Sequence, residues 1–143
     1  DGVPGVCDAV VQLERIGDIA VNFAERVRPL LPYRAFVQGT GIEDMAMGAR
    51  QMVRDAIDAF VHNDVQLARR VLEQDDRIDE MDGHMFSTML AKMKQSPENV
   101  EPAAHMMIVS RHVERLADHA TNVAEDVIFL VNAKIVKHHA DKT

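Results

Sequence analysis

The sequence predicts an all-α fold, an up-and-down bundle of four main helices. Three observations carry this. Apolar residues recur in four-and-three steps over several turns in four separate stretches, the spacing that lines one face of a helix. Aromatic residues make up only 4% of the chain, with no Trp and one Tyr, while nine Met and many Ala, Val and Leu supply a hydrophobic fraction of 47%. That balance suits helices packed on helices better than a β-sandwich. The stretches are separated by Pro, Gly and polar residues that end helices and make turns. With 143 residues the chain suits one domain with a sizeable core.

The first helix is predicted from Val6 to Arg28, with Ala9, Leu13, Ile16, Ala20, Phe23 and Val27 on its packing stripe. Pro29 and Pro32 end it, and the stretch from Leu30 to Gly41 reads as a linker. Thr40 and Glu43 have the spacing of a capping box and open the second helix, which buries Met45, Ala49, Met52, Ala56 and Phe60 and fades near Asn63. Asp64 is the predicted N-cap of the third helix. This helix runs to about Lys94 with Leu67, Val71, Ile78, Met81, Met85 and Met89 inward, and an interior Gly83 costs it about 1 kcal/mol relative to Ala. Gln95, Ser96 and Pro97 mark a turn. The fourth helix begins near Pro102 and runs past Leu130, packing through Val109, Val113, Leu116, Ala120, Val123, Val127 and Leu130. The polar tail KHHADKT is expected to fray. The Met residues on these stripes are read as core filler.

Composition excludes several functions. The formal net charge is −7 and the pI about 5.4, so nucleic acid is a poor partner. Cations remain open. The single cysteine, Cys7, has no internal partner, which fits a reducing cytoplasm. No run of about 18 apolar residues offers direct membrane insertion. The opening DGVPGVCDAV lacks the basic region and apolar core of a signal peptide. It also lacks an initiator Met, as a fragment or processed form would.

The main organisational signal is a repeat. ERIGDIAVNFAE at 14–25 and ERLADHATNVAE at 114–125 share seven of twelve residues at an offset of 100, and Ile16/Leu116 and Phe23/Val123 keep the packing face in register. Glu114 and Asp118 lie four apart on one helical face, as do Glu14 and Asp18. Like charges at that spacing destabilise an isolated helix by a few tenths of a kcal/mol, and the adjacent core stripe is complete without them. Asn22 and Asn122 continue each row. The third helix carries Asp75 and Asp79 at the same spacing, amid Asp76, Glu80 and Asp82. Two antiparallel helices with such pairs beside a shared seam bring four acids together, and magnesium, manganese, iron or zinc would relieve the repulsion. The plainer reading is a solvated acidic face balanced by Arg15, Arg77 and Arg115.

These residues also resemble a known family. The paired 14–25 and 114–125 segments, VLEQDDRIDEMD at 71–82 and IFLVNAKIVKHH at 128–139 resemble the signatures of the PhoU family of phosphate-signalling proteins, over about residues 8–139. The resemblance implies two three-helix repeats. Residues 1–29 would be the last helix of a first repeat, 30–41 a linker and 42–143 a complete second repeat. It implies a cytoplasmic, often dimeric, metal-binding regulator and not an enzyme. Such a protein acts with a phosphate ABC transporter ATPase and a sensor histidine kinase in negative regulation of phosphate-starvation signalling. It also implies metal ligands at Asp75, Asp79, Glu114 and Asp118, with Glu14 and Asp18 in the first repeat's cluster, whose partner helix is not in this chain. A period of roughly 100 residues per unit would need about 90 more residues upstream. Ala117 in place of Gly17 implies a slightly looser helix contact in the second copy.

The alternatives are a PhoU-like regulatory domain of a sodium–phosphate cotransporter and a carboxylate-bridged metal enzyme. The ferritin-like version of the latter needs Glu-x-x-His motifs, and no Glu here has His three residues on. His-Glu-x-x-His is absent, and Gly2, Gly5, Gly39 and Gly41 fit no nucleotide loop. His84, four residues from Glu80, and His119, next to Asp118, are read as exposed helical histidines. Cys7 has no His neighbour and is not a catalytic thiol.

Overall fold

The computed structural model describes residues 3–142. Gly2 and Thr143, at the two ends of the regions read above, lie outside them. The chain forms α1 (Val3–Val27), a 3-10 segment (Arg28–Tyr33), α2 (Arg34–Val37), α3 (Ile42–His62), α4 (Val65–Gln95), a 3-10 turn (Pro97–Asn99) and α5 (Val100–Ala140). The four long helices are α1, α3, α4 and α5. At 41 residues α5 is about 60 Å long, and it packs against each of the other three.

The turns set the directions. Asn63 ends α3 in the left-handed region (φ 53°), where its N–H reaches the Ala59 carbonyl, a conformation Asn tolerates well. Asp64 then accepts from the Leu67 N–H at 3.0 Å, the predicted N-cap of α4. With so short a link, α3 and α4 run antiparallel. The α4–α5 turn is tied by Asn99, whose side-chain amide donates to the Lys92 carbonyl at 2.9 Å. Pro102 falls in the first turn of α5, where a missing N–H costs no helical bond.

The core is made of the predicted stripes. Met45, Met52, Met89 and Met106 are fully buried, each burial contributing about 1.5–3 kcal/mol. Val71, Ile78, Val109, Val113, Val123 and Val127 fill the space between them. The stripe of α1 is only partly covered: Ala9 and Ile16 are buried, Leu13, Phe23 and Val27 are half-buried, and Ala20 is exposed.

Several expectations are corrected. The stretch at 30–41, read as a linker, carries helical turns over much of its length: these occupy Arg28–Val37, and Leu30 reaches the core at 4% exposure. Thr40 and Glu43 form no capping box, because the Thr40 hydroxyl donates backward to the Val37 carbonyl at 2.6 Å. Gly41, at φ 85°, is the N-cap instead, with no side-chain cap. Much of the tail expected to fray is helical: α5 continues through His139 to Ala140, although residues 132–142 are exposed. The first copy of the repeat has no tighter contact at its glycine. Gly17 is exposed, with open space where a Cβ would stand, whereas Ala117 is fully buried.

Candidate metal centre

The α4–α5 seam positions the acidic site. These antiparallel helices pair 82 with 110, 79 with 114 and 75 with 118. On α4, Asp75, Asp79 and Asp82 fall at i, i+4 and i+7, one face of the helix. On α5, Ser110, Glu114, Asp118 and Asn122 form the opposing row. The buried stripes beside these rows hold the two helices together and fix the carboxylates where mutual repulsion would part them.

Asp75, Asp79 and Asp118 each offer a carboxylate oxygen, and these atoms lie within 4.8 Å of one another. Glu114 stands against the cluster through hydrogen bonds with Asp118 and Asp79. The electrostatics follow from burial and like charge. Burial, then the Asp118 carboxylate, then Asp79 and Asp82 push the Glu114 carboxyl up to about 8. It therefore carries a proton at neutral pH and donates it to its neighbours. Asp75 is raised by burial and next by Asp79 and Asp118, with a partial offset from Thr121. Asp79 is raised by burial and then by Asp118, Asp76 and Asp82. The Thr121 hydroxyl is directed to the Ala117 carbonyl at 3.0 Å, and Asp75 Oδ1 is buried with no hydrogen-bond partner.

The arginines adjacent in sequence do not balance these charges. Among the described residues the only ion pair joins Arg111 to Asp82, at 3.8 Å. Three carboxylate donors, on residues of which Asp75 also holds a buried oxygen without a partner, suit a hard or borderline cation. The predicted Asp75, Asp79 and Asp118 thus come together, with Glu114 beside them. Glu14 and Asp18 are exposed on α1, apart from this cluster.

Other residues at the seam were not singled out from the sequence. Ser110, 1% exposed, donates to Asp82 Oδ1 at 2.7 Å and closes one end of the acidic row. Gln12 of α1 accepts from His119 Nδ1 at 2.6 Å and from the Asn122 amide at 3.3 Å. Since a carbonyl oxygen only accepts, His119 carries its proton on Nδ1. It is half-buried and bonded, not the exposed helical histidine expected, and burial followed by the Arg15 charge lowers its pKa. His84 is exposed as expected. Asp126, one turn beyond Asn122, has a buried Oδ2 with no partner and is raised by burial, then by Asp8 and Glu125. The signal for Ser110 and Asp126 is present in the sequence: both extend the polar row of α5 at steps of four.

A family model described as the PhoU domain matches residues 42–127. The phosphate-specific transport system accessory protein PhoU homolog of Aquifex aeolicus is 38% identical over 142 residues, covering 95% of this chain and 62% of the relative. Its namesake in Xylella fastidiosa (strain 9a5c) is 34% identical over 122 residues, covering 85% and 52%. The crystal structure of PhoU from Pseudomonas aeruginosa superposes with a TM-score of 0.84 at 30% identity, covering 92% of this chain and 63% of that one. The chain spans about half the length of the curated relatives it matches.

Proposed function

This chain belongs to the PhoU family, and we propose from that premise that it is an accessory regulator of phosphate uptake, acting through protein contacts and not through catalysis. Its partners in this reading are a phosphate ABC transporter ATPase and a sensor histidine kinase, its action is negative regulation of phosphate-starvation signalling, and it works as a cytoplasmic dimer. Relatives named as accessory proteins of a phosphate-specific transport system support the reading. No helix among the described residues is long and apolar enough to cross a membrane.

The observation that carries the metal part is Asp75 Oδ1, buried without a partner inside a triad of acids. A buried carboxylate oxygen left unpaired costs free energy that a cation would offset. Asp75, Asp79 and Asp118 would hold the ion, and Glu114 would join on losing its proton. Magnesium, manganese, iron or zinc bound there would neutralise the seam and brace α4 against α5. Glu14 and Asp18 would serve a second cluster with helices of a preceding repeat, in a protein as long as the relatives.

Metal analysis of protein purified without chelator tests the site. The wild type should carry a divalent or trivalent metal that Asp75→Ala/Asp79→Ala loses. An equal absence of metal from both after repletion would refute the site. For the regulatory part, the full-length protein should retain a phosphate transporter ATPase or a sensor kinase in a pull-down, and retention of neither would count decisively against it.

A further inference from the structure

Beyond Asp82 the α4–α5 seam opens into a second groove of about 310 Å³ with different chemistry. Its floor is apolar, made by Phe86 of α4 with Met107 and Ile108 of α5. Phe86 is 52% exposed and Ile108 42%. Leu90, 40% exposed, follows one turn after Phe86 on the same side of α4. Burying such side chains takes apolar surface out of water, a gain that the groove offers to an incoming group.

The wall is basic. Arg111 and Arg115 are four apart and stack along one face of α5. Arg26 of α1 lies near His112 behind them. The Arg111 side chain is 61% exposed and touches Asp82 only at 3.8 Å, and Arg115 has no ion pair among the described residues. This wall belongs to a chain of net charge −7, so its sign is local and selects an acidic partner. The larger cleft, about 410 Å³ at the end of α1, is edged by Arg34 and Glu43, one charge of each sign, and makes no such selection.

We propose that the Phe86–Ile108 groove docks an acidic amphipathic helix of a partner protein. An apolar side chain of that helix seats between Phe86 and Ile108, and carboxylates a turn away meet Arg111 and Arg115. This is the helix-in-groove mode, in which anchors recur at helical spacing. Nucleic acid fits poorly, because Asp82 lines the same groove and the net charge opposes a polyanion. The proposal rests on the adaptor reading for the existence of a protein partner and adds which face binds it.

The test is site-specific photo-crosslinking of the full-length protein in its own cells. Phe86→p-benzoylphenylalanine is compared with the same replacement at Met47 and Val61, both exposed on α3. The expected adduct at position 86 falls in a partner segment rich in Asp and Glu beside an apolar residue. Arg115→Glu should lower its yield on the order of tenfold, and the milder Arg111→Gln/Arg115→Gln several-fold, with unchanged thermal melting of both variants. Adducts at 86 that ignore both substitutions, or that fall in a basic segment, a lipid, a nucleic acid or a second copy of this chain, would overturn the proposal. If position 86 yields nothing while Met47 or Val61 crosslinks a phosphate-transport protein, the groove is refuted and the adaptor reading stands. If no position crosslinks such a protein, and deletion of the gene leaves phosphate-responsive expression unchanged, both fall.

Discussion

Asp75 and Asp118 face each other across the α4–α5 seam with carboxylate oxygens inside 4.8 Å, and Asp75 Oδ1 is buried without a partner. Two acids so placed weaken the bundle by like-charge repulsion, which a bound cation would relieve. Asp75→Asn should therefore stabilise the chelated protein and remove its response to metal. The expected gain is about 0.5–1 kcal/mol, or a Tm rise of about 1.5–3 °C in EDTA. Added metal should raise the wild-type Tm and leave Asp75→Asn unmoved. Melting curves with and without chelator decide this, and a lower Tm for Asp75→Asn in EDTA would contradict it.

Much of this seam was legible in the sequence. The four-and-three stripes located all four long helices, since burying one face of a helix leaves a periodic record. Asp64 was legible as a cap because its chemistry is local. The acidic pairs at 75/79 and 114/118 stood out because like charges at that spacing oppose helix formation and need a tertiary reason. What escaped depends on which of several available partners a group meets in the fold. Thr40 had the composition of a capping box, but its hydroxyl found the Val37 carbonyl of the preceding turn. His119 looked solvated until α1 brought Gln12 against it. Gly17 looked like a contact residue, yet it faces open space where a Cβ would stand, while its neighbour Ile16 carries the packing.

The pH dependence of the metal-free protein has a definite sign. Glu114 titrates at about 8 in the fold against an ordinary value of 4.5. Between those values the native state holds a proton that the unfolded chain has lost. Stability is then fully present below about 4.5 and declines as pH rises through about 8. Discounted for the solvent-screened part of the site, the loss is about 1–2 kcal/mol. His112 and His119, both lowered chiefly by burial, act oppositely: their contribution is present above the ordinary histidine value of 6.5 and is lost as pH falls below it. Denaturant titrations in EDTA from pH 5 to 8.5 should show the alkaline decline in wild type and a much flatter profile in Glu114→Gln. Identical profiles would mean that Glu114 is not the protonated member of the cluster.

Gln12 is the polar tie between α1 and the rest of the bundle, accepting from both His119 and Asn122. Gln12→Ala removes two hydrogen bonds at a half-buried contact, a cost of about 1–2 kcal/mol. Because α1 packs mainly on α5 and leaves much of its stripe uncovered, the loss should appear as local opening. Amide exchange in α1 around Leu13–Ile16 should accelerate about tenfold, with α4 amides near Val71 and Ile78 unchanged. Uniform acceleration across all helices would instead show that α1 unfolds only with the whole.

Among the described residues Ser110 is the one buried polar side chain, and its hydroxyl serves Asp82 at 2.7 Å while lying 3.5 Å from Met45 Sδ. Ser110→Ala keeps the volume nearly constant, so packing is preserved and only the hydrogen bond is lost. Asp82 Oδ1 then loses its buried donor, and the 3.8 Å contact of Arg111 with Oδ2 is too long to replace it. The expected cost is about 1–3 kcal/mol, a Tm fall of about 3–8 °C. If the cost comes from the orphaned carboxylate, Asp82→Leu placed on top of Ser110→Ala should recover part of it, because two apolar groups leave nothing unsatisfied. A double-mutant cycle by chemical denaturation measures the coupling. Additive losses would show that Ser110 and Asp82 act independently and that the acidic row ends at Asp79.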